Sequence, residues 1–336
     1  MITVFVTGAG GGVGQGIIKS LKLVEDLDIR IISADMSPLA TALYKTDCSY
    51  LIPKASDDGY TDFLVNIFKK EKVDFYFPGT DVELLISSEQ SDFFRKESNT
   101  TVVVSPYNSI EIADDKYLTY KFISENNLPA PESYLPDELP ADLKYPIIVK
   151  PRVGCRSIGV SIANNEKELQ ARLSTESGLM VQELVGRDDE EYTCTVASYD
   201  GQISEALILR RTLRSGDTYR ATPVKSEAIS NYVRKLTKLL NINGSCNFQL
   251  RLTNDVPKVF EINCRFSGTT PFCSQLGFNP VEFYLKSALG KTYESSVDYN
   301  KIVLRHWTES VIDNTEIEKL SAEGKLYPSD HKISTL

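Results

Sequence analysis

Val259-Phe260-Glu261-Ile262-Asn263-Cys264-Arg265 places side chains capable of chemistry at every second position. On an extended strand such positions share a face, so Glu261, Asn263 and Arg265 project together while Phe260 and Ile262 turn toward a core. Working outward, Asn247-Phe248-Gln249-Leu250-Arg251 reads as a partner strand, and Asn254-Asp255 between the two runs is a turn signal. A hairpin there sets Gln249 beside Glu261. One carboxylate, two amide oxygens and one guanidinium then stand on a single rigid surface. Oxygen donors of this kind suit Mg²⁺, which takes one or two carboxylates plus the phosphates of a ligand. The guanidinium suits a phosphate oxygen. Polar residues on a solvated strand face would alternate in the same way, so the rest of the chain has to decide.

Composition narrows the field. At 336 residues the chain is too long for one ordinary core and implies two or three lobes. A net charge of -9 argues against a nucleic-acid partner held by phosphate neutralisation. No apolar run approaches the roughly 20 residues needed to cross a bilayer, so no membrane is expected. Met1-Ile2-Thr3-Val4-Phe5-Val6 runs straight into a strand without signal-peptide character. Six cysteines show no CxxC pair, and with only two histidines a zinc site is not expected. The thiols read as reduced and the protein as cytoplasmic.

The chain opens with a strand, Ile2–Val6, the turn Thr7-Gly8-Ala9-Gly10-Gly11-Gly12-Val13-Gly14-Gln15-Gly16, a helical stretch Ile17–Leu23 and a strand Ile29–Ala34 ending at Asp35. This is the start of a doubly wound α/β domain. Further strands are expected at Val73–Phe77 and Val102–Val104, with a helix over Glu83–Phe94. Asp114 or Asp115 caps a helix running to Asn126. Five prolines between 129 and 146 mark a lobe boundary. Ile147–Pro151 is a strand ending at a lysine and leading into a glycine-bearing turn, Gly154–Gly159. A helix Glu166–Leu173, strands Leu179–Leu184, Tyr192–Tyr199 and Ile203–Leu209, an arginine-rich segment and an amphipathic helix Ser226–Leu240 follow. After the hairpin come a helix Pro280–Leu289, a strand Ile302–Trp307, and a polar tail from Asp313 that should pack loosely.

Two chemistries fit these elements. Gly8, Gly11 and Gly14 with Asp35, plus Tyr117 and Lys121 one helical turn apart, suggest an NAD(P)-dependent oxidoreductase. Lys150 and the Gly154–Gly159 loop suggest ATP instead, since phosphates need a point charge and backbone N–H donors. Val181–Gly186 could present backbone groups to an adenine edge, and Glu191 could accept ribose hydroxyls. Cys155 and Cys264 fall inside these motifs, but no base accompanies either.

Lys116, Lys150 with its loop, Gln182–Val185, Glu191 and then Gln249, Glu261, Asn263 and Arg265, in that order, resemble the ATP-grasp superfamily. The likeness covers roughly residues 1–290 and is nearest to one synthetase half of the carbamoyl-phosphate synthetase large subunit and to single-unit ligases related to it. It implies an α/β and α+β chain: a Rossmann-like parallel-sheet domain over 1–112, an ATP-grasp small lobe over 113–185, a large lobe over 186–310 and a tail over 311–336. The leading glycine turn then needs no dinucleotide.

The resemblance also implies roles. Lys116 and Lys150 hold ATP phosphates beneath a loop including Gly154, Ser157 and Gly159. Gln182, Glu183 and Val185 form the adenine hinge, and Glu191 holds ribose. Arg214 lies near the nucleotide where relatives carry histidine. Gln249, Glu261 and Asn263 ligate one or two Mg²⁺ ions, for which Mn²⁺ could substitute, and Arg265 steadies the transferred phosphoryl group. The implied activity activates a carboxylate as an acyl phosphate for attack by an amine, in a homodimer. Synthesis of carbamoyl phosphate itself is not expected from one unit. A non-catalytic ATP-binding protein is the other alternative.

Overall fold

The computed structural model describes residues 1–154, 157–187, 189–306 and 308–328. Cys155 and Arg156 of the glycine loop, Trp307 and the end of the tail lie outside them. The first sheet runs in the spatial order Cys48–Leu51, Ile29–Asp35, Ile2–Val6, Phe75–Phe77, Thr101–Val102, all parallel. Phe5 packs into one core cluster while Val4 and Val6 pack into another, so both faces are covered and the strand reads as continuously apolar. The parallel-sheet domain is therefore present as read.

A second, seven-stranded sheet is ordered Val256–Asn263, Gly244–Thr253, Glu191–Tyr199, Leu207–Arg214, Asp217–Val224, Val303–Leu304, with Gln202–Ile203 pairing beside Glu191–Tyr199. Its inner residues Cys194, Phe248 and Ile262 share a core with Phe5 and Phe68 of the first domain. A four-stranded sheet, Ser133–Tyr134, Leu179–Glu183, Ile147–Pro151, Ser161–Ala163, instead keeps a small core of its own around Val149, Leu169 and Val181. The two larger units are welded through apolar contact, and the small lobe sits on them as a separate cap.

Several expectations need correction. Among the described residues the tail is not loose: Asn314–Glu323 is a helix capped by Asp313 and ended by left-handed Gly324. Leu320 is buried, and Lys325–Leu326 adds an antiparallel strand to Cys48–Leu51. Lys325 Nζ also lies 2.7 Å from Glu71. A polar composition concealed the few apolar positions needed to dock that helix. The helix expected over Glu83–Phe94 is two, Asp81–Glu89 and Ser91–Ser98. The arginine-rich segment is a strand pair, turned by Ser215 and Gly216 at φ 52° and 80°.

The first glycine turn is closed by backbone. A Cβ on Gly14 would lie 2.3 Å from the Gly8 carbonyl, and one on Gly79 2.0 Å from that of Thr7. Thr7 Oγ1 locks the same corner, accepting from Gly79 N at 3.0 Å and donating to the buried Glu83 carboxylate at 2.8 Å.

Candidate active site

The small lobe and the seven-stranded sheet enclose a cleft of about 900 Å³, part of it open to solvent. Its floor is the hairpin read from the sequence. Gln249 pairs with Glu261 and Asn247 with Asn263, and the turn has Asn254 and Asp255 at φ 50° and 63°, as a tight two-residue hairpin requires. The alternation fails at one place. Leu250 pairs with Val259, so Phe260 is the extra residue of a bulge. Phe260 therefore lines the cleft with Glu261, and Val259 and Ile262 take the core side instead.

Charge on the floor is arranged as a chain of hydrogen bonds. Arg251 donates to Glu191 Oε2 at 3.0 Å, and Arg211 donates to Glu191 Oε1 at 2.6 Å and to Gln249 Oε1 at 2.7 Å. Gln249 Nε2 and Asn263 Nδ2 each donate to Glu261 Oε1 at 3.1 Å. Asn263 Oδ1 accepts from Arg265, whose guanidinium then pairs with Asp81 at the start of a first-domain helix. Arg265 thus ties the floor to the first domain.

The roof brings two lysines. Lys150, only 5% exposed, donates to Gln182 Oε1 at 2.7 Å and to the Phe260 carbonyl at 3.3 Å. Burial pushes its ammonium down to about 7; Lys116 nearby adds to the fall and Glu261 opposes it. Lys116 Nζ donates to the Gly154 carbonyl at 2.7 Å and so tethers the loop. Glu183 pairs with Lys258 at 2.7 Å.

Of the residues singled out from sequence, Lys116, Lys150, Gly154, Ser157, Gln182, Glu183, Val185, Glu191, Gln249 and Glu261 line this cleft. Asn263 adjoins it through Glu261, and Arg265 through Asn263. Gly159 faces Pro151 and Arg172. Arg214 stands exposed at a hairpin end, its guanidinium 5.3 Å from the Tyr219 ring, rather than in the cleft. Arg251 and Phe260 also line the cleft and were not singled out as site residues. Two-residue alternation on Leu207–Arg214 is the signal that could have separated Arg211 and Leu213 from exposed Arg210 and Thr212.

The oxidoreductase alternative finds no support. Asp35 is consumed by its own turn, accepting from Gly10 N at 2.8 Å and Ser37 N at 3.0 Å. Tyr117 donates to Glu138 at 2.7 Å, which pushes its hydroxyl up to about 12, the wrong way for a proton donor near neutrality. Among the described residues the cysteines are free and buried, so Cys264 is no exposed nucleophile.

Comparison with known proteins bears on the fold. The chain is 23% identical over 324 residues to the carbamoyl phosphate synthase large chain of Methanothrix thermoacetophila, covering 86% of this chain and 30% of that one. The Thermoanaerobacter sp. large chain is 25% identical over 325 residues, covering 86% and 29%. The chain thus spans about 30% of the length of these curated relatives. Among solved structures, N5-carboxyaminoimidazole synthetase from Staphylococcus aureus complexed with ADP is similar, with TM-score 0.71, 17% identity, and coverage of 96% of this chain and 86% of that one. L-amino acid ligase from Bacillus licheniformis gives TM-score 0.67 at 16% identity, covering 95% and 84%. Residues 113–269 match the ATP-grasp domain and residues 7–103 the PylC-like N-terminal domain. The chain thus carries an ATP-grasp domain standing behind a PylC-like N-terminal domain.

Proposed function

We propose that this chain is an ATP- and Mg²⁺-dependent ligase that activates a carboxylate as an acyl phosphate for attack by an amine. One observation carries the reading: Glu261, with two amide side chains bonded to it, shares a cleft with the buried amine of Lys150. The solved relatives named above as a synthetase and a ligase support the reaction class.

The donor set fits Mg²⁺. Among the described residues no group of three or more His, Cys, Asp or Glu could hold a metal ion. Glu261 is then the single carboxylate, which suits a cation that completes its shell with substrate phosphates. Gln249 and Asn263 would have to turn their amides over to present oxygen. The bound cation would neutralise charge between the phosphates.

The protein's own part is positioning. Lys150 and Lys116 approach the phosphates from the roof, beneath backbone N–H groups of the Gly154, Ser157 and Gly159 loop. The segment Gln182–Val185 presents its edge to adenine, and Glu191 lies where ribose hydroxyls would reach. Arg265, fixed from behind by Asp81, faces the phosphoryl group in transfer. Closure of the loop excludes water, which would otherwise hydrolyse an acyl phosphate. Five free, buried cysteines suit a reducing compartment, and we place the reaction in the cytoplasm.

The test is ADP release from MgATP across a panel of carboxylates paired with amines. Turnover with one pair, lost in Glu261→Gln, is the expected result. Binding of ATP with no ADP release across the panel would make the protein a nucleotide-binding module instead.

A further inference from the structure

We infer that Arg211 is a positioning residue that holds Gln249 in the wrong orientation for a cation until nucleotide phosphates draw the guanidinium away. This rests on the metal-site reading above. A primary amide has one acceptor end and one donor end. Arg211 Nη2 occupies the Gln249 oxygen at 2.7 Å, which leaves the amide nitrogen facing Glu261. Asn263 shows the same arrangement, with Arg265 on its oxygen and its nitrogen on Glu261. An N–H donor pointed at the carboxylate occupies the lone pairs that a cation needs.

Arg211 is well placed for this role. Its side chain is 8% exposed and also grips Glu191 Oε1 through Nε at 3.0 Å and Nη2 at 2.6 Å. It lines the cleft, where phosphate oxygens compete for a guanidinium with favourable fork geometry. Arg251 holds the other oxygen of Glu191, so that carboxylate stays compensated when Arg211 leaves. A divalent cation alone should then bind weakly, and nucleotide should strengthen it by more than its own phosphate contacts supply.

Mn²⁺ alone, titrated into the nucleotide-free protein and followed by the paramagnetic resonance of the free ion, tests this. Arg211→Met should tighten Mn²⁺ binding about tenfold, the usual scale for groups that orient metal ligands. Removing a positive charge by itself strengthens cation binding whether or not Gln249 is present. Measured against Gln249→Leu alone, Arg211→Met in that background should keep only this smaller gain, because no oxygen is left to turn. An equal gain in the two backgrounds overturns the inference, as does no gain in Arg211→Met. Arg211→Lys keeps the charge but cannot span Glu191 and Gln249, so it should show a smaller gain of about threefold. If Arg211→Met fails to fold, absence of any gain in the lysine variant is decisive. Binding that ignores Glu261→Gln would place the ion elsewhere; the metal-site reading then fails, and this inference with it.

Discussion

The chain carries two glycine turns, and they do opposite things. In the first, Gly14 is required because backbone lies 2.3 Å from where a side chain would begin, and Gly79, packed against the turn from the end of Phe75–Phe77, has backbone at 2.0 Å. In the second, a Cβ on Gly154 would meet only the Pro151 side chain, at 3.9 Å, one on Gly159 would meet that same side chain at 2.9 Å, and Lys116 donates to the Gly154 carbonyl. One set of glycines lets backbone pass against backbone; the other meets only side chains, at the edge of a cleft. Composition makes the two look alike, and the neighbouring atoms tell them apart.

The largest expected effect breaks the symmetry directly. Gly14→Ala should cost on the order of 4 kcal/mol, because the added carbon meets immovable carbonyls at the strand–helix junction. Gly154→Ala should cost about 1 kcal/mol, from backbone strain at φ 151° alone, while slowing turnover. Urea denaturation of both variants checks this. Equal losses would mean that the second turn is as structural as the first.

Next in size is the chemistry beneath the second turn. Glu261→Ala should lower MgATP turnover on the order of 10³-fold, the scale of losing one electrostatic group in a closed site. Its melting temperature should stay close to that of the parent, since Glu261 is only partly buried. Near-normal turnover would remove the floor from the mechanism and leave the second turn a plain loop.

How much of this could be read in advance follows from range. The hairpin was legible because its strands are adjacent in sequence, with alternation and the Asn254-Asp255 turn printed in it. The Phe260 bulge was not, since it depends on a one-residue offset against Leu250 that no local pattern records. Glu191 was visible as an acid, but its two guanidinium partners come from residues 20 and 60 positions away. Strand parity would have separated Arg211 from Arg210; only the assembled sheet places it between Glu191 and Gln249. The tail misled because docking Leu320 and Leu326 takes so few apolar residues.

A smaller effect concerns Lys150 and pH. In the unfolded chain its ammonium holds its proton to about pH 10.5, while in the folded, ligand-free protein it loses it near 7. Between those values the unfolded state binds more protons, so this group's contribution makes stability rise with pH across that window and level off below it. Lys150→Met should flatten the slope of melting temperature against pH between 7 and 9. Nucleotide phosphates favour the charged form, so ATP binding at pH 7 should take up about half a proton at this site. Calorimetry in buffers of different ionisation enthalpy reads that number directly, and Lys150→Met should reduce it. An unchanged proton count would move the titrating group elsewhere.

The smallest expected effect lies at Arg214, where the resemblance and the geometry part. The resemblance implies that Arg214 stands near the nucleotide, yet here it is exposed beside Tyr219 and does not line the cleft. An exposed arginine over a ring contributes little, so Arg214→Ala should change stability by no more than about 0.5 kcal/mol. On this geometry it should also leave ATP affinity within about twofold, a limit set by its stacking on a protein ring rather than a ligand. A tenfold loss of affinity would mean that the hairpin end folds over the nucleotide when the lid closes. The cleft would then be covered from both sides, by a glycine loop on one and by the turn of Ser215 and Gly216 on the other.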